Sequence, residues 1–261
     1  MDFTNSRFSL EGKVAVVTGA GGRGNSIGRA YAMGLANAAA SIIVADLNGE
    51  GAQRVAGEIN AQGGKALGVQ VDITDRASVD AMAAKAREAF GGVDILVNNA
   101  ALMVEIVRFP AMEISLADWN KAFAVNVTGA LNCVQALAPM MAKRGGGKIV
   151  NQVSGGAFPA TSVYGVTKIA LLGLTTTLAK ELGPQKINVN AIAPGATASE
   201  AGSSLTPPDS PFYKMLEAQI AMRVSGTPDE LVGALMLLCS QAGDWITGQV
   251  LHVDGGWILR P

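Results

Sequence analysis

Tyr164 and Lys168 are the two residues whose types and spacing most directly suggest chemistry. Residues four apart on a helix face the same side, so the phenol and the ammonium group would be neighbours. A phenol with a pKa of about 10 is a poor base at neutral pH, and a nearby ammonium group lowers that pKa toward the range useful for proton transfer. On its own the pair is also compatible with an exposed helix surface, so its meaning depends on its surroundings.

A second chemical feature is the glycine-rich segment from Gly19 to Gly28, which follows an apolar run and precedes a helical pattern. Glycines let the backbone turn sharply and approach a pyrophosphate, which the N-terminus of a helix favours. Asp46 ends the next apolar run, where it would accept hydrogen bonds from an adenosine ribose and repel a 2′-phosphate. Arg23 would favour that phosphate, and a helix N-cap is an alternative role for Asp46. We give Asp46 more weight than Arg23 and expect NAD(H), because the carboxylate must move or be neutralised before a phosphate can bind there.

These residues need a scaffold, which a regular alternation of apolar runs and helical stretches predicts. The runs are continuously apolar, so both faces of the sheet should be buried. We predict one α/β domain over residues 1–261, a Rossmann-type doubly wound parallel sheet of about seven strands with helices on both faces. The predicted strands are 14–17, 42–45, 67–71, 93–97, 149–153, 187–193 and 250–253, and the predicted helices are 27–38, 49–62, 75–90, 116–143, 162–182 and 228–240.

Polar or glycine residues follow nearly every predicted strand, which predicts a single site. Ligands of open parallel sheets bind beyond the carboxyl ends of the strands. Any one of these residues could serve an ordinary loop, but their shared position indicates convergence. They are Gly19–Gly28, Asp46, Asp72, Asn98, Ser154 and Pro194-Gly195.

The composition narrows the possible partners. The formal net charge of −1 predicts no broad attraction to nucleic acid or to an anionic membrane. We expect a soluble, cytoplasmic protein, because the sequence has neither a bilayer-spanning apolar run nor a signal-peptide core in residues 1–13. The single histidine, His252, leaves no His-based metal site, and we predict no metal. Cys133 and Cys239 are expected in the core.

The chain resembles the short-chain dehydrogenase/reductase family over about residues 10–257. Most of the individual motifs are weak, but each lies at its expected element. This resemblance implies an NAD-dependent alcohol dehydrogenase or ketone reductase. The motifs are Thr18-Gly19, Asp72, Asn98-Asn99-Ala100-Ala101, Asn126, Ser154, Tyr164-Gly165-Val166-Thr167-Lys168, Pro194-Gly195 and Asp254-Gly255-Gly256.

The resemblance also implies roles for four residues. Tyr164 would exchange the proton of the alcohol, and Ser154 would donate a hydrogen bond to the substrate oxygen. Lys168 would lower the pKa of Tyr164 and bind the nicotinamide ribose, while Asn126 would hold a water on a relay that reaches Lys168. The implied cofactor contacts are Gly19, Gly21, Arg23, Ser26, Ile27, Asp46, Leu47, Asp72, Ile73, Asn99, Ala100, Tyr164, Lys168, Pro194, Gly195, Thr197 and Ser199.

Three departures from the family pattern bear on the site. The glycine-rich loop is about three residues longer than usual and has Ser26 in place of a glycine. The interval of ten from Ser154 to Tyr164 is shorter than usual, and the threonine expected after Pro194-Gly195 is Ser199, with Thr197 as its rival. The enoyl reductase branch has a similar Ser-Ile pattern, but it separates its tyrosine and lysine further, so we exclude enoyl reduction.

The substrate side follows from a gap in the strand and helix alternation at residues 196–224. In the family this stretch is a lid that excludes water during the reaction, although a plain surface loop is the alternative. We found no cluster of basic residues for an anionic tail, with Arg108 and Arg223 left open, and therefore predict an uncharged, fairly apolar secondary alcohol or ketone. Its predicted contacts are Val104, Ser154, Gly155, Gly156, Tyr164 and Phe212.

The predicted helix 162–182 is apolar on more than one side, which indicates a second packing partner. The resemblance implies that this helix and helix 116–143 form a subunit interface, and we predict a homotetramer. One alternative function is a 3-oxoacyl-(acyl-carrier-protein) reductase that uses NADPH. A non-catalytic dinucleotide sensor or scaffold protein is a third possibility. The joint presence of four residues disfavours it, namely Tyr164, Lys168, Ser154 and Asn126.

Overall fold

A seven-stranded parallel sheet organises the chain. The computed structural model describes residues 7–22, 24–107, 109–205, 207 and 210–259, without the side chain of Phe212. The strand order is β3-β2-β1-β4-β5-β6-β7 and every pairing is parallel, so the sheet reverses its direction of growth between β1 and β4. This confirms the predicted doubly wound sheet. The strands are β1 (Val14–Thr18), β2 (Ser41–Asp46), β3 (Lys65–Gln70), β4 (Ile95–Asn98), β5 (Gly147–Gln152), β6 (Ile187–Pro194) and β7 (Val250–Val253).

Helices lie between the strands, close to the predicted positions. The predicted helix 116–143 is wrong as a single α-helix, because a π-helical turn at Ala124–Thr128 divides it. The predicted gap at 196–224 contains two short helices. The α-helices are α1 (Ile27–Asn37), α2 (Gly49–Ala61), α3 (Arg76–Phe90), α4 (Leu116–Phe123), α5 (Gly129–Lys143), α6 (Val163–Leu182), α7 (Glu200–Leu205), α8 (Pro211–Gln219) and α9 (Val232–Cys239).

Two apolar cores lie on opposite faces of the sheet. Val17 packs in one core and its neighbour Val16 in the other, because successive side chains of a strand point to opposite faces. Cys133 and Cys239 are buried and unpaired, one in each core, as predicted. Helices on both faces therefore explain why the inner strands are continuously apolar. The edge strand β3 differs from the prediction, because Lys65 and Leu67 are exposed there. Among the described helices, none combines the length and apolar character needed to cross a membrane.

Candidate active site

The carboxyl ends of β1, β4, β5 and β6 meet at one edge of the sheet, as predicted. The Thr18 hydroxyl donates to the carbonyl of Val97 at 3.3 Å, joining β1 to β4. A Cβ built on Gly155, just beyond β5, would lie 3.2 Å from the carbonyl oxygen of Pro194, the last residue of β6. The residues that follow these four strands are therefore close enough to form one site.

Tyr164 and Lys168 lie one turn apart near the start of α6, and both are buried. The Lys168 Nζ lies 5.4 Å from the centre of the Tyr164 ring and donates a hydrogen bond of 2.8 Å to the carbonyl of Gln152. Burial lowers the pKa of Lys168 to about 7. Burial also raises the pKa of Tyr164 well above its usual value, so its phenol is neutral.

The pKa of Tyr164 differs from the sequence-based prediction, which had Lys168 lowering it. The physical reason is the environment of both groups. Both side chains are withdrawn from water, and the Lys168 Nζ donates to Gln152 while it lies over the face of the Tyr164 ring. Desolvation disfavours the charged form of each group, which opposes both a phenolate and an ammonium ion.

Ser154 follows β5 and caps a short 3-10 turn at Gly155–Ala157. Its Oγ accepts the backbone N–H of Gly156 at 3.1 Å. Because the hydroxyl accepts this bond, its own proton remains available for another acceptor. The strand alignment thus places the serine at the site edge despite the short interval to Tyr164.

Asn126 lies in the π-helical turn and is almost completely buried. Its Nδ2 donates to the carbonyl of Leu102 and to the hydroxyl of Thr167, both at 2.9 Å, and its Oδ1 accepts the N–H of Leu102 at 2.7 Å. The Thr167 hydroxyl in turn donates to the carbonyl of Tyr164 at 2.7 Å. Asn126 therefore connects the segment after β4 to the first turns of α6.

The glycine-rich loop packs too closely for side chains at several positions. A Cβ on Gly19 would lie 2.7 Å from the Cα of Ala100, and one on Gly28 would lie 2.2 Å from the carbonyl oxygen of Gly19. Ser26 caps α1 by accepting the N–H of Arg29. The close backbone approach and the helix N-terminus provide the features that a dinucleotide pyrophosphate requires.

Asp46 lies directly against this loop. Its Oδ2 accepts the N–H of Gly21 at 2.7 Å, and its Oδ1 accepts the N–H of Asn48 at 2.9 Å. The carboxylate is thus held in place as an acceptor at the end of β2. This is the position that the sequence predicts for recognition of an adenosine ribose.

Four other predicted cofactor contacts differ in their exposure and in their hydrogen bonds. Asp72 accepts the N–H and hydroxyl of Thr74, and the side chain of Leu47 is largely exposed. Thr197 donates to the carbonyl of Gly195 at 3.1 Å, whereas the Ser199 hydroxyl is buried and accepts the N–H of Gly202 at 3.1 Å.

Several further predicted contacts take part in close packing. Asn99 donates through Nδ2 to the carbonyls of Thr18 and Gly19. Ile73 packs against Gly129, and a Cβ on Gly195 would lie 2.6 Å from the Cα of Asp254. Arg23, Arg108 and the side chain of Phe212, all singled out from the sequence, lie outside the described residues.

Comparisons with known proteins agree with this geometry. A family model described as enoyl-(acyl carrier protein) reductase matches residues 22–258. An uncharacterized oxidoreductase of Mycobacterium tuberculosis is 45% identical over 251 residues, which cover 96% of this chain and 99% of the relative. The chain belongs to the short-chain dehydrogenase/reductase family.

Other members of the short-chain dehydrogenase/reductase family have named activities. A 3-oxoacyl-[acyl-carrier-protein] reductase of Aquifex aeolicus is 38% identical, with 95% of this chain and 98% of the relative covered. A 7α-hydroxysteroid dehydrogenase solved with NADH and 7-oxo glycochenodeoxycholic acid has a TM-score of 0.88 at 35% identity, covering 97% of each chain. A gluconate 5-dehydrogenase from Burkholderia cenocepacia, solved with NADP and tartrate, has a TM-score of 0.89 at 36% identity, covering 97% of this chain and 98% of that one. The chain is thus an oxidoreductase of a family whose solved members bind NAD(H) or NADP.

Three residues near this short-chain dehydrogenase/reductase site were missed by the sequence reasoning. Asn25 donates through Nδ2 to the carbonyl of Ala198 at 2.6 Å, and its main-chain carbonyl accepts the N–H of Glu200 at 3.2 Å. Arg54 donates to the carbonyls of Gly21 and Gly22. Gln152 accepts from Lys168. No periodicity or motif signals such contacts, because they join residues far apart in the chain.

A cavity of about 760 Å³ lies at the opposite, amino edge of the sheet. Four of its charged groups form two ion pairs. Asp94 accepts two hydrogen bonds of 3.0 Å from Arg144, and Lys148 lies 2.7 Å from Asp244. Because the family motifs and the buried pair of Tyr164 and Lys168 lie at the carboxyl edge, we assign the site there and not to this cavity.

Proposed function

We propose that this chain is an NAD(H)-dependent dehydrogenase or reductase for an uncharged, fairly apolar secondary alcohol or ketone. The observation that carries the proposal is the joint placement of a buried Tyr164 and Lys168 on α6 beside the turn that Ser154 caps. Lys168 lies over the Tyr164 ring, and the turn after Ser154 packs on the first turn of α6. This combination suits proton exchange with an alcohol oxygen.

Tyr164 is proposed as the general acid and base, and Ser154 as the hydrogen-bond donor to the reacting oxygen. The neutral phenol of Tyr164 can give its proton to the alkoxide that forms as a ketone is reduced. The Ser154 hydroxyl proton, which Gly156 leaves available, can stabilise the same developing negative charge. In the oxidative direction the two side chains perform the same steps in reverse.

Lys168 is proposed to bind the nicotinamide ribose and to favour the phenolate of Tyr164 when it is protonated. A pKa of about 7 makes its charge sensitive to the groups that bind beside it. Asn126 is proposed to support a water relay toward Lys168. Since both of its amide hydrogens are engaged, such a water would bind its main-chain carbonyl or the second lone pair of Oδ1.

The glycine-rich loop is proposed to hold the pyrophosphate, and Asp46 the adenosine ribose. The bound nicotinamide would supply hydride transfer. We favour NAD(H), because the Asp46 carboxylate is held in place by Gly21 and Asn48, and its charge would repel a 2′-phosphate. The alternative is a 3-oxoacyl-carrier-protein reductase that uses NADPH. The Arg54 guanidinium beside the loop carbonyls and the Aquifex aeolicus relative support it.

The substrate is proposed to enter between the segment after β4 and the lid at residues 196–224. Apolar side chains are exposed on both sides, with Val104 on the first and Met215 and Met222 on the second. The Arg223 guanidinium donates to the carbonyl of Ala218 within the lid, so it is already engaged. These observations support a substrate without an anionic tail.

The proposed assembly is a homotetramer. Its support is the outer side of α6, where Ile169 is 42% exposed although the opposite side of the same helix packs on the sheet. Size-exclusion chromatography with light scattering should give the mass of four chains. A monomer at micromolar concentration would refute this assembly.

The experiment that tests the function is a screen of secondary alcohols and ketones with NAD(H) and NADP(H), followed by the absorbance of the reduced nicotinamide. We expect turnover of apolar secondary alcohols or ketones. The value of kcat/KM should be at least about tenfold higher with NAD(H) than with NADP(H), which corresponds to about 1.4 kcal/mol. A preference for NADP(H) would overturn the role of Asp46. Turnover restricted to 3-oxoacyl thioesters would establish the alternative.

A further inference from the structure

We infer that Gly165 is a positioning residue whose missing side chain sets the location of the Ser154 hydroxyl relative to Tyr164. Gly165 follows Tyr164 directly in α6, and the turn that Ser154 caps lies against it. The inference rests on the proposed function, because it gives a purpose to the geometry between the two reacting side chains. It adds a residue that does not touch the reacting atoms but controls them.

The contact at Gly165 leaves no room for a methyl group. A Cβ built there would lie 2.8 Å from the carbonyl oxygen of Gly156 and 3.3 Å from the Cα of Ala160. Both neighbours are backbone atoms, which cannot rotate away as the end of a flexible side chain can. An alanine at this position must therefore displace either the turn or the first turn of α6.

The turn is rigidly connected to Ser154. The Ser154 Oγ accepts the N–H of Gly156, and the Ser154 carbonyl accepts the N–H of Ala157 at 3.0 Å. On its far side the turn is confined as well, since a Cβ on Gly155 would lie 2.9 Å from the Trp257 ring and 3.2 Å from the carbonyl oxygen of Pro194. A displacement of Gly156 is thus transmitted to the Ser154 hydroxyl.

The connection between Ser154 and Tyr164 has little slack to absorb the displacement. Ala160 adopts a φ of 48°, the left-handed region that disfavours residues other than glycine. The N–H of Gly165 donates to the Ser162 hydroxyl, which caps α6. The short interval noted in the sequence therefore brings the turn and the helix into direct backbone contact at Gly165.

A second glycine of the same helix shows that this packing is specific. A Cβ on Gly173, two turns further along α6, would meet nothing within 4 Å, and the same holds for Gly57 in α2. Alanine is the better helix former at all three positions. Only at Gly165 does the packing of the site exclude it.

The test compares Gly165→Ala in the full-length protein with Gly57→Ala and with Gly233→Ala in α9, where a Cβ would also meet nothing within 4 Å. Thermal unfolding reports the fold, quenching of intrinsic fluorescence by NADH reports cofactor binding, and steady-state kinetics report kcat and KM. We expect Gly165→Ala to lower kcat at least tenfold while the Kd for NADH stays within twofold of wild type. The two control variants should keep the wild-type kcat.

A double-mutant cycle with Ser154→Ala separates positioning from a general structural defect. If Gly165→Ala acts through the Ser154 hydroxyl, it should change kcat less than threefold in the Ser154→Ala background. Equal losses of kcat in both backgrounds would overturn the inference, and so would a wild-type kcat in Gly165→Ala. A Gly165→Ala protein that fails to fold or to bind NADH would also overturn it. A wild-type kcat in Ser154→Ala would instead remove the serine from the proposed function itself.

Discussion

The sheet edge has two sides that differ in their surfaces. The glycine-rich side, residues 18–22 and 24–28 with Asp46 and Asn99, is held by backbone and buried amide groups. The side of the proposed lid, here called the lid side, comprises residues 102–107 and the described residues of 196–224, and it exposes large apolar side chains. On the first side, Asn99 alone donates four hydrogen bonds, three to main-chain carbonyls and one to the Thr18 hydroxyl. On the second side, Met222 is 69% exposed. The contrast lies in which atoms form the surface that a ligand would meet.

This difference indicates that the two sides of the edge are suited to different parts of the bound ligands. Backbone contacts do not depend on side-chain rotamers, so the glycine-rich side is suited to a ligand part that is always the same. Exposed apolar side chains can be exchanged without disturbing the sheet, so the lid side is suited to determine which alcohol binds. The two solved relatives differ in the same way, since both bind a nicotinamide dinucleotide while their named activities concern different substrates.

Tyr164 lies between the two sides, and its substitution should have the largest effect. Tyr164→Phe removes the proton donor and leaves the ring that packs beside Lys168. We expect kcat to fall about 10³-fold, within the range for loss of a general acid or base, with NADH affinity unchanged. Tyr213→Phe, in the lid, is the matched control. Wild-type turnover by Tyr164→Phe would contradict the proposed role of Tyr164 as the general acid and base.

The buried Lys168, which belongs to neither side of the edge, should make the free energy of unfolding depend on pH. Its pKa is about 7 in the fold and 10.5 in the unfolded chain, so the unfolded chain binds more protons between these values. The free energy of unfolding should therefore rise from about pH 7 to pH 10.5 because of this group. Lys168→Met should be more stable than wild type at pH 7, with a gap that shrinks toward pH 10, as measured by urea unfolding.

The exposed Lys180 near the end of α6 provides the control for that measurement. Lys180→Met removes the same charge without a burial cost, so its stability difference from wild type should not vary with pH in this way. An unchanged pH slope in Lys168→Met would contradict the assignment of the slope to Lys168.

Thr18 tests the glycine-rich side directly. Its hydroxyl donates to the carbonyl of Val97 and accepts the N–H groups of Asn99 and Ala100, both at 3.1 Å. Thr18→Val removes all three bonds. The Asn99 N–H still donates to the Val97 carbonyl at 3.1 Å, so the Ala100 N–H is the group that loses its partner. We expect a loss of about 2 kcal/mol in the free energy of unfolding together with weaker NADH binding. Thr177→Val, at an exposed position of α6, should change neither. If Thr18→Val changed neither the free energy of unfolding nor NADH binding, buried hydrogen bonds would not distinguish the glycine-rich side from the lid side.

Asn25 connects the two sides, and its loss should have the smallest effect of the four. Removing its bond to Ala198 in Asn25→Ala should loosen the lid by about 1 kcal/mol, so that limited trypsin digestion within residues 196–224 becomes roughly fivefold faster. The melting temperature should hardly change. Asn60→Ala, which removes similar exposed bonds to Ala66, should leave the digestion rate as it is. Equal digestion of Asn25→Ala and wild type would show that the sides are independent.

The elements of the fold could be predicted because their signals are local. Continuous apolar runs identified all seven strands, and the polar residues after those runs identified the site edge. The π-helical turn could not be predicted, because no local pattern signals it, and the partners of its Asn126 side chain, Leu102 and Thr167, lie 24 and 41 residues away. The direction of the Tyr164 pKa was missed for a similar reason, since burial depends on the whole fold.

The sequence by itself determined the doubly wound sheet, the family, and the presence of Tyr164, Lys168 and Ser154 at one edge. Periodicity, glycine position and helical spacing act over a few residues, so they can be followed along the chain. Only the tertiary structure decided that Asn25 joins the lid, that Lys168 donates to Gln152, and that the turn after Ser154 rests on Gly165. Close packing and desolvation act between residues distant in sequence, and they take their values only once the sheet has brought those residues together.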